Sequence, residues 1–254
     1  MFYQIKDLTK KIQGLKFEKG KSLFVHSALH SFGVAKDINP TDFSYELLES
    51  LNKLTGISGN IIVPTFNFQF ARGKTYDIKN SPSEGMGAFS EFVRKLDLTV
   101  RSKHPLQSVC IIGKDAKEIC LKDTYSAFGH ESSFEKMLSL DTEIILLGAS
   151  IQAVSFVHLA EEHFNVPYRY WKEFEGNYVD EDKINQKKKY GMFVRNLDLD
   201  PNPKLTKIEP ILQKNGKIHI ERFSYGYIKI FKAIDFIKIL NEELDKNVNW
   251  LIDK

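Results

Sequence analysis

Residues 146–162 read Leu146-Leu147-Gly148-Ala149-Ser150-Ile151-Gln152-Ala153-Val154-Ser155-Phe156-Val157-His158-Leu159-Ala160-Glu161-Glu162. A strand with the texture of a buried element runs into a glycine turn and then into a helix. The helix carries a histidine followed by acids three and four residues later. At those spacings either carboxylate can lie on the histidine's face of the helix. A histidine held beside a carboxylate on a rigid element is a simple general base near neutral pH. His158, Glu161 and Glu162 are therefore the first candidate catalytic residues.

Outward from this unit, the same alternation recurs. Toward the N-terminus, Ile5, Leu8, Ile12 and Leu15 have helical spacing within residues 1–19. Ser22 to His26 reads as a strand, and Thr41 to Leu54 as a helix with Thr41 at its N-cap. Gly59 to Pro64 is a second strand, stopped by its proline. A polar loop from Asn67 to Gly85 is too long for a plain connector. A helix at Gly87 to Lys95, a strand at Ser108 to Gly113, a helix near Ala116 to Leu121 and the strand Glu143 to Gly148 complete this half. Short apolar strands alternating with helices predict an α/β fold with a mostly parallel central sheet flanked by helices.

From about Phe174 the texture changes. Val179 to Lys189, with Lys187-Lys188-Lys189, reads as a solvated hairpin or loop. Tyr190 to Asp198 and Lys217 to Phe223 alternate like exposed strands, and Ala233 to Leu244 is a closing helix. The expectation is one domain over 1–254, with a core at about 20–172 and a smaller antiparallel β-rich subregion at about 173–254 packed beside it.

Composition narrows the class. The chain has 254 residues, is 42% hydrophobic and carries a net charge of +3. That charge is too mild to demand a nucleic-acid partner. Two cysteines, Cys110 and Cys120, are too few for a disulfide scaffold and read as free core thiols. The N-terminus lacks the apolar core of a signal peptide, and no run reaches the ~20 apolar residues needed to span a bilayer. A soluble cytoplasmic protein with no membrane partner is expected.

Metal is not expected at His158. It and His163 are five residues apart, about 140° around a helix with a 100° step, so they cannot share one ion. Glu161-Glu162 also inserts one residue too many for an H-x-x-E-H motif. Elsewhere, His26 to Gly33, with Ser27, Ser31 and Phe32, leaves a strand's carboxyl end, where ligands bind in open α/β sheets. It reads equally as a serine-capped loop. Arg101-Ser102-Lys103-His104-Pro105 with Ser108 suits either a phosphate-bearing ligand or an exposed basic turn. Phe128-Gly129, ahead of Ser132, leads into a serine-capped helix. No G-x-S-x-G elbow or activated cysteine supplies an acyl-enzyme nucleophile.

Taken together and in order, these segments resemble the aminoglycoside N(3)-acetyltransferase family. The resemblance runs from Phe24 to Arg169, and more faintly to Ile239. Its pieces are Val25-His26-Ser27 through Gly33, Gly59 to Phe66, Gly87 to Glu91, Arg101 to Ser108, Phe128-Gly129 with Ser132, and Gly148 followed by His158 to Glu161 and Pro167-Tyr168-Arg169. It implies acetyl-coenzyme A or another acyl-coenzyme A as co-substrate and a small-molecule amine as acceptor. His158 matches the family's helix histidine, and Ser27, Ser31, Phe32, Gly33, Arg101, Ser102, His104, Ser108, Phe128 and Gly129 fall in segments resembling its coenzyme A cleft. An acidic residue from the C-terminal portion approaches the histidine in the family, and Asp198 or Asp200 is the candidate here. Ser108 is the candidate oxyanion donor. The oligomeric state stays open, a homodimer included.

Two departures shape the acceptor. Ala28 stands where the family commonly has serine, and the C-terminal portion is lysine-rich. A site for polycationic antibiotics should be rich in carboxylates. A mildly basic chain instead suits an amino sugar, including a nucleotide-linked one, whose diphosphate would welcome lysines. The alternatives are true aminoglycoside 3-N-acetylation conferring antibiotic resistance, and a catalytically inactive protein that binds coenzyme A or a sugar.

Overall fold

A computed structural model describes residues 2–199 and 201–252. Its first half contains β1 (Phe2–Tyr3), α1 (Ile5–Gln13), β2 (Ser22–Ser27), β3 (Val34–Ala35), α2 (Pro40–Thr55), β4 (Asn60–Pro64), β5 (Tyr76–Asp77), α3 (Ala88–Arg94), β6 (Val100–Arg101), β7 (Val109–Gly113) and α4 (Ala116–Ile119). The second half continues with α5 (Ser133–Ser139), β8 (Glu143–Leu147), α6 (Val157–His163), β9 (Arg169–Val179), β10 (Asn185–Arg195), α7 (Ile208–Lys214), β11 (Ile218–Phe223), β12 (Gly226–Lys232) and α8 (Ala233–Lys246).

The expected α/β architecture is present, as a seven-stranded sheet in the order β11-β12-β8-β2-β4-β7-β6. Parallel pairing is confined to β8-β2-β4, and the outer pairs are antiparallel. The reason lies in the connections. A parallel neighbour needs a helical crossover, such as α2 between β2 and β4, whereas β6–β7 and β11–β12 are hairpins, which reverse the chain. The β11–β12 pair thus extends the main sheet instead of packing beside it. The smaller antiparallel element is the long β9–β10 hairpin, joined by β5. Lys187-Lys188-Lys189, expected in a solvated hairpin or loop, lie on the β10 arm of this hairpin.

The strand pleat explains the core. On β2 and β8, Phe24, Ile144 and Leu146 face one layer with Phe134, Phe156 and Phe236. Leu23, Val25, Ile145 and Leu147 face the other layer with Leu8, Ile12, Leu47 and Phe89. Both faces of these strands are covered, so their sequence reads as continuous apolar runs. A third cluster, including Phe70, Tyr76, Tyr178 and Tyr190, fills the space under the β9–β10 hairpin. The long 67–85 loop is thus held down by β5 and by Phe70, which lies against Gly176.

Two local expectations shift. The helix expected over 1–19 spans only Ile5–Gln13. Asn39, not Thr41, caps α2: its Oδ1 accepts from the Thr41 and Asp42 amides, and Pro40 occupies the first turn. Proline tolerates that place because its missing N–H would be unpaired there anyway.

Gly148 makes the turn out of β8. Its φ is +70°, and a Cβ there would lie 2.7 Å from the Ala28 carbonyl oxygen. A side chain would be strained by φ and would push the β2 terminus away from β8. Gly148→Ala is therefore expected to cost on the order of 2 kcal/mol in urea unfolding; an unchanged midpoint would show the turn to be permissive.

Candidate active site

The backbone of α6 starts at the carboxyl-end side of β8, and its first turn is set by Ser155, whose carbonyl accepts from the His158 amide. Val157, Ala160 and Glu161 face inward on α6. His158 sits on the flank, 22% exposed, with its ring edge-on to Phe128 at 5.0 Å. His158 Nδ1 lies 2.6 Å from Glu161 Oε2. A carboxylate can only accept, so Nδ1 carries a proton; in the neutral imidazole the lone pair is then on Nε2.

Glu161 is fully buried. Burial pushes its carboxyl up, but the His158 hydrogen bond and the charges of His158 and Arg169 outweigh this and hold it below the usual value. Arg169 Nε lies 2.9 Å from the same oxygen but off the bonding direction, so charge rather than a directed bond holds the pair. Arg169 also donates to the Phe193 carbonyl across the β9–β10 hairpin. The Glu161 carboxylate thus ties α6 to the hairpin base.

Glu162 turns the other way and accepts from the Ser126 hydroxyl. Burial raises its carboxyl to about 7, with the Ser126 bond opposing and the Glu161 charge adding to the rise. A raised native value means that the unfolded chain ionises first, so stability is fully present below pH ~4.5 and falls as pH rises to about 7. Glu162→Gln removes that penalty. Its stability relative to wild type should grow by on the order of 2 kcal/mol between pH 4.5 and 8, read by urea unfolding at each pH. A pH-independent difference would sink the assignment.

Two cavities meet at the segment that leads into this helix. One, of about 280 Å³, is lined by Gln152, Ser155, His158, Arg169, Arg195 and Asn202 among others. The second, of about 300 Å³, lies at the carboxyl ends of β2 and β4 and includes His26, Ser27, Ala28, Phe66, Met86 and Ser155. Ala153 and Ser155 line both. Burial lowers the His26 imidazole to about 3, so it is neutral in this wall.

The other sequence candidates are dispersed around these cavities. Ser27 lines the second. Phe32 is fully buried against Tyr3 and Phe223, and Ser31 and Gly33 belong to the turn holding it. Phe128 packs on His158, and the Phe128 amide is held by Ser126. Gly129 follows it in the same turn and approaches the Ser126 side chain.

Arg101 is buried with its guanidinium on the carbonyls of Thr65, Ile78 and Ser81. The Ser108 hydroxyl donates to Thr65 O and accepts from Arg101. The Ser102 hydroxyl accepts from the Val109 amide, and His104, lowered to about 4 by burial, bonds to Gly191 O. Arg101 and Ser108 thus hold the 65–85 loop, His104 the hairpin and Ser102 the start of β7, and none of the four lines either cavity. Asp198 is exposed and lines a neighbouring cavity with no bond to His158. Asp200 lies outside the described residues.

Ser126, Ser155, Arg169 and Arg195 did not stand out in the sequence. Arg169 fell within a matched segment, but nothing local marks the other three. A larger cavity, about 790 Å³, shares no residue with these two, and Arg94 and Arg101 in its wall are already held by Glu91 and backbone carbonyls. No helix among the described residues is long and apolar enough to cross a membrane.

Comparison with known proteins follows the same line. A family profile described as aminoglycoside 3-N-acetyltransferase matches residues 24–245. The SPbeta prophage-derived aminoglycoside N(3')-acetyltransferase-like protein YokD of Bacillus subtilis is 23% identical over 205 residues, 66% of this chain and 73% of its own length. Aminoglycoside N(3)-acetyltransferase IV of Salmonella sp is 27% identical over 165 residues, 64% of this chain but only 60% of that protein. Among solved structures, a binary complex of AAC-IIIb with CoASH superposes with a TM-score of 0.78 at 16% identity, covering 97% of both chains. The fold matches those of solved aminoglycoside acetyltransferases, and the profile is that of an N-acetyltransferase family. The profile spans most of this chain's length, and the chain belongs to the aminoglycoside 3-N-acetyltransferase family.

Proposed function

We propose that this chain transfers an acyl group from acyl-coenzyme A to an amino group of an amino sugar, with His158 as general base. The observation that carries the reading is the His158–Glu161 pair at 2.6 Å, which in the neutral imidazole puts the lone pair on Nε2, in a side chain that lines a cavity. The thioester arm would enter by the cavity of about 300 Å³, where Ser27, Ala28, Gly85, Ala149 and Ser150 leave room for a narrow group. The acceptor would occupy the cavity beside His158.

The amine nitrogen attacks the thioester carbonyl carbon, forming the C–N bond. His158 Nε2 takes the amine proton. The C–S bond then breaks, and the thiolate leaves and receives the proton, giving coenzyme A and the amide. Ser155, whose side chain borders both cavities, is the favoured hydroxyl for the oxyanion. Ser108 is not, since its proton is committed to Thr65 O.

A free-thiol assay across acetyl- and longer acyl-coenzyme A donors, with neutral, nucleotide-linked and polycationic amino sugars, tests this. Thiol release that depends on an amine supports the reading; none with any pair overturns it and favours a sensor. The family description favours an aminoglycoside acceptor as a second reading, and antibiotic protection of an expressing host would select it.

A further inference from the structure

The charge lining the acceptor cavity points to what the acceptor carries. Among the described residues of the cavity beside His158, the charged groups besides the histidine are Glu161, Arg169 and Arg195. Glu161 is fully buried, and its Oε2 is bonded to His158 and paired with Arg169. Arg169 is spent on that carboxylate and on Phe193 O. Arg195, at the end of β10, is exposed, and its guanidinium meets no carboxylate or carbonyl among the described residues.

Arg195 also lines the next cavity, another 280 Å³, together with Lys172 and Asp198. Lys172 rests over the Phe174 ring rather than on an acid. Asp198 is thus the single described carboxylate against Lys172 and Arg195 in that wall. A polycation entering here would meet a guanidinium that has no acidic partner among the described residues, and a Glu161 that is fully buried. An anionic group would find a planar, five-donor partner.

Resting on the acylation reading above, we infer that Arg195 selects an amine acceptor bearing a phosphate or carboxylate group, seated with its amine toward His158 and its anion at the junction of the two cavities. The same positive surroundings help the chemistry. A nearby cation disfavours the ammonium form of the acceptor, so more of it is present as the neutral amine that attacks.

The test separates binding from turnover. Calorimetry with the His158→Asn protein compares a neutral amino-sugar glycoside, the same sugar as its 1-phosphate, as a nucleoside diphosphate derivative and with a 6-carboxylate, and an aminoglycoside. At least one anionic ligand should bind 10- to 100-fold more tightly than the neutral glycoside, with the gap shrinking in high salt. The three anionic arms tell phosphate from diphosphate and from carboxylate.

In the otherwise wild-type enzyme, Arg195→Gln should bring the anionic-to-neutral ratio of kcat/KM toward one, and Arg195→Glu should take it below one. Arg195→Lys should keep part of the preference. Equal binding of neutral and anionic ligands, tighter binding of the aminoglycoside, or binding of none overturns the inference and leaves the acylation reading to its own assay. Tighter anionic binding with no thiol release from wild type does the reverse.

Discussion

His158→Ala is expected to lower kcat by about 10²- to 10⁴-fold while coenzyme A still binds, because a positioned proton transfer contributes about that much. The ring is one-fifth exposed on a helix flank, its partners are one carboxylate and one aromatic edge, and it fills no core cavity. The fold should therefore survive its removal, and the loss should fall on the chemical step. Single-turnover thiol release, with coenzyme A affinity measured alongside, reads the two separately. Near-normal kcat would remove His158 from the mechanism. Loss of coenzyme A binding would make it a binding residue instead.

The second large effect concerns Glu161. Its replacement by alanine leaves the Arg169 guanidinium, 8% exposed, without the buried charge that balances it. Breaking a buried pair in this way costs about 3–5 kcal/mol. Glu161→Gln keeps the shape and a partner for His158, and should cost less. Turnover should fall in both, since the imidazole loses the group that sets its tautomer and stabilises the imidazolium.

A pH series distinguishes this role from packing. The native Glu161 carboxyl is held below its ordinary value of 4.5. Its contribution to stability is therefore present above pH ~4.5 and lost as pH falls through the native value. Wild type should lose that stability in acid, and Glu161→Gln should not. Parallel acid limbs for the two proteins would refute the pairing.

Which parts of this were legible in the chain follows from how local each signal is. Apolar runs such as Glu143–Leu147, and helical spacing such as Leu8 to Ile12, report burial within one element. They revealed the α/β class and the strand–turn–helix that carries His158. Pair direction is not local. The hairpins at β6–β7 and β11–β12 turned the outer strands antiparallel, although their sequences read like the central ones.

The site divides in the same way. Helical geometry puts Glu161 about 60° to one side of His158 and Glu162 about 40° to the other, so neighbours in sequence could not choose between them. The choice came from elsewhere in the chain. Ser126, 36 residues before Glu162, captures that side chain, while Arg169 on β9 and the covering core capture Glu161.

Arg101 and Ser108 show the converse. Two cations and several hydroxyls within eight residues are compatible with a ligand, but the carbonyls of the 65–85 loop reach them first. The histidine, its helix and its possible acids were thus written in a short period of residues. The carboxylate beside it, and the exposed arginine in the same cavity wall, were decided only when β9 and β10 folded back onto α6, because charges pair with what packing brings within a few ångströms.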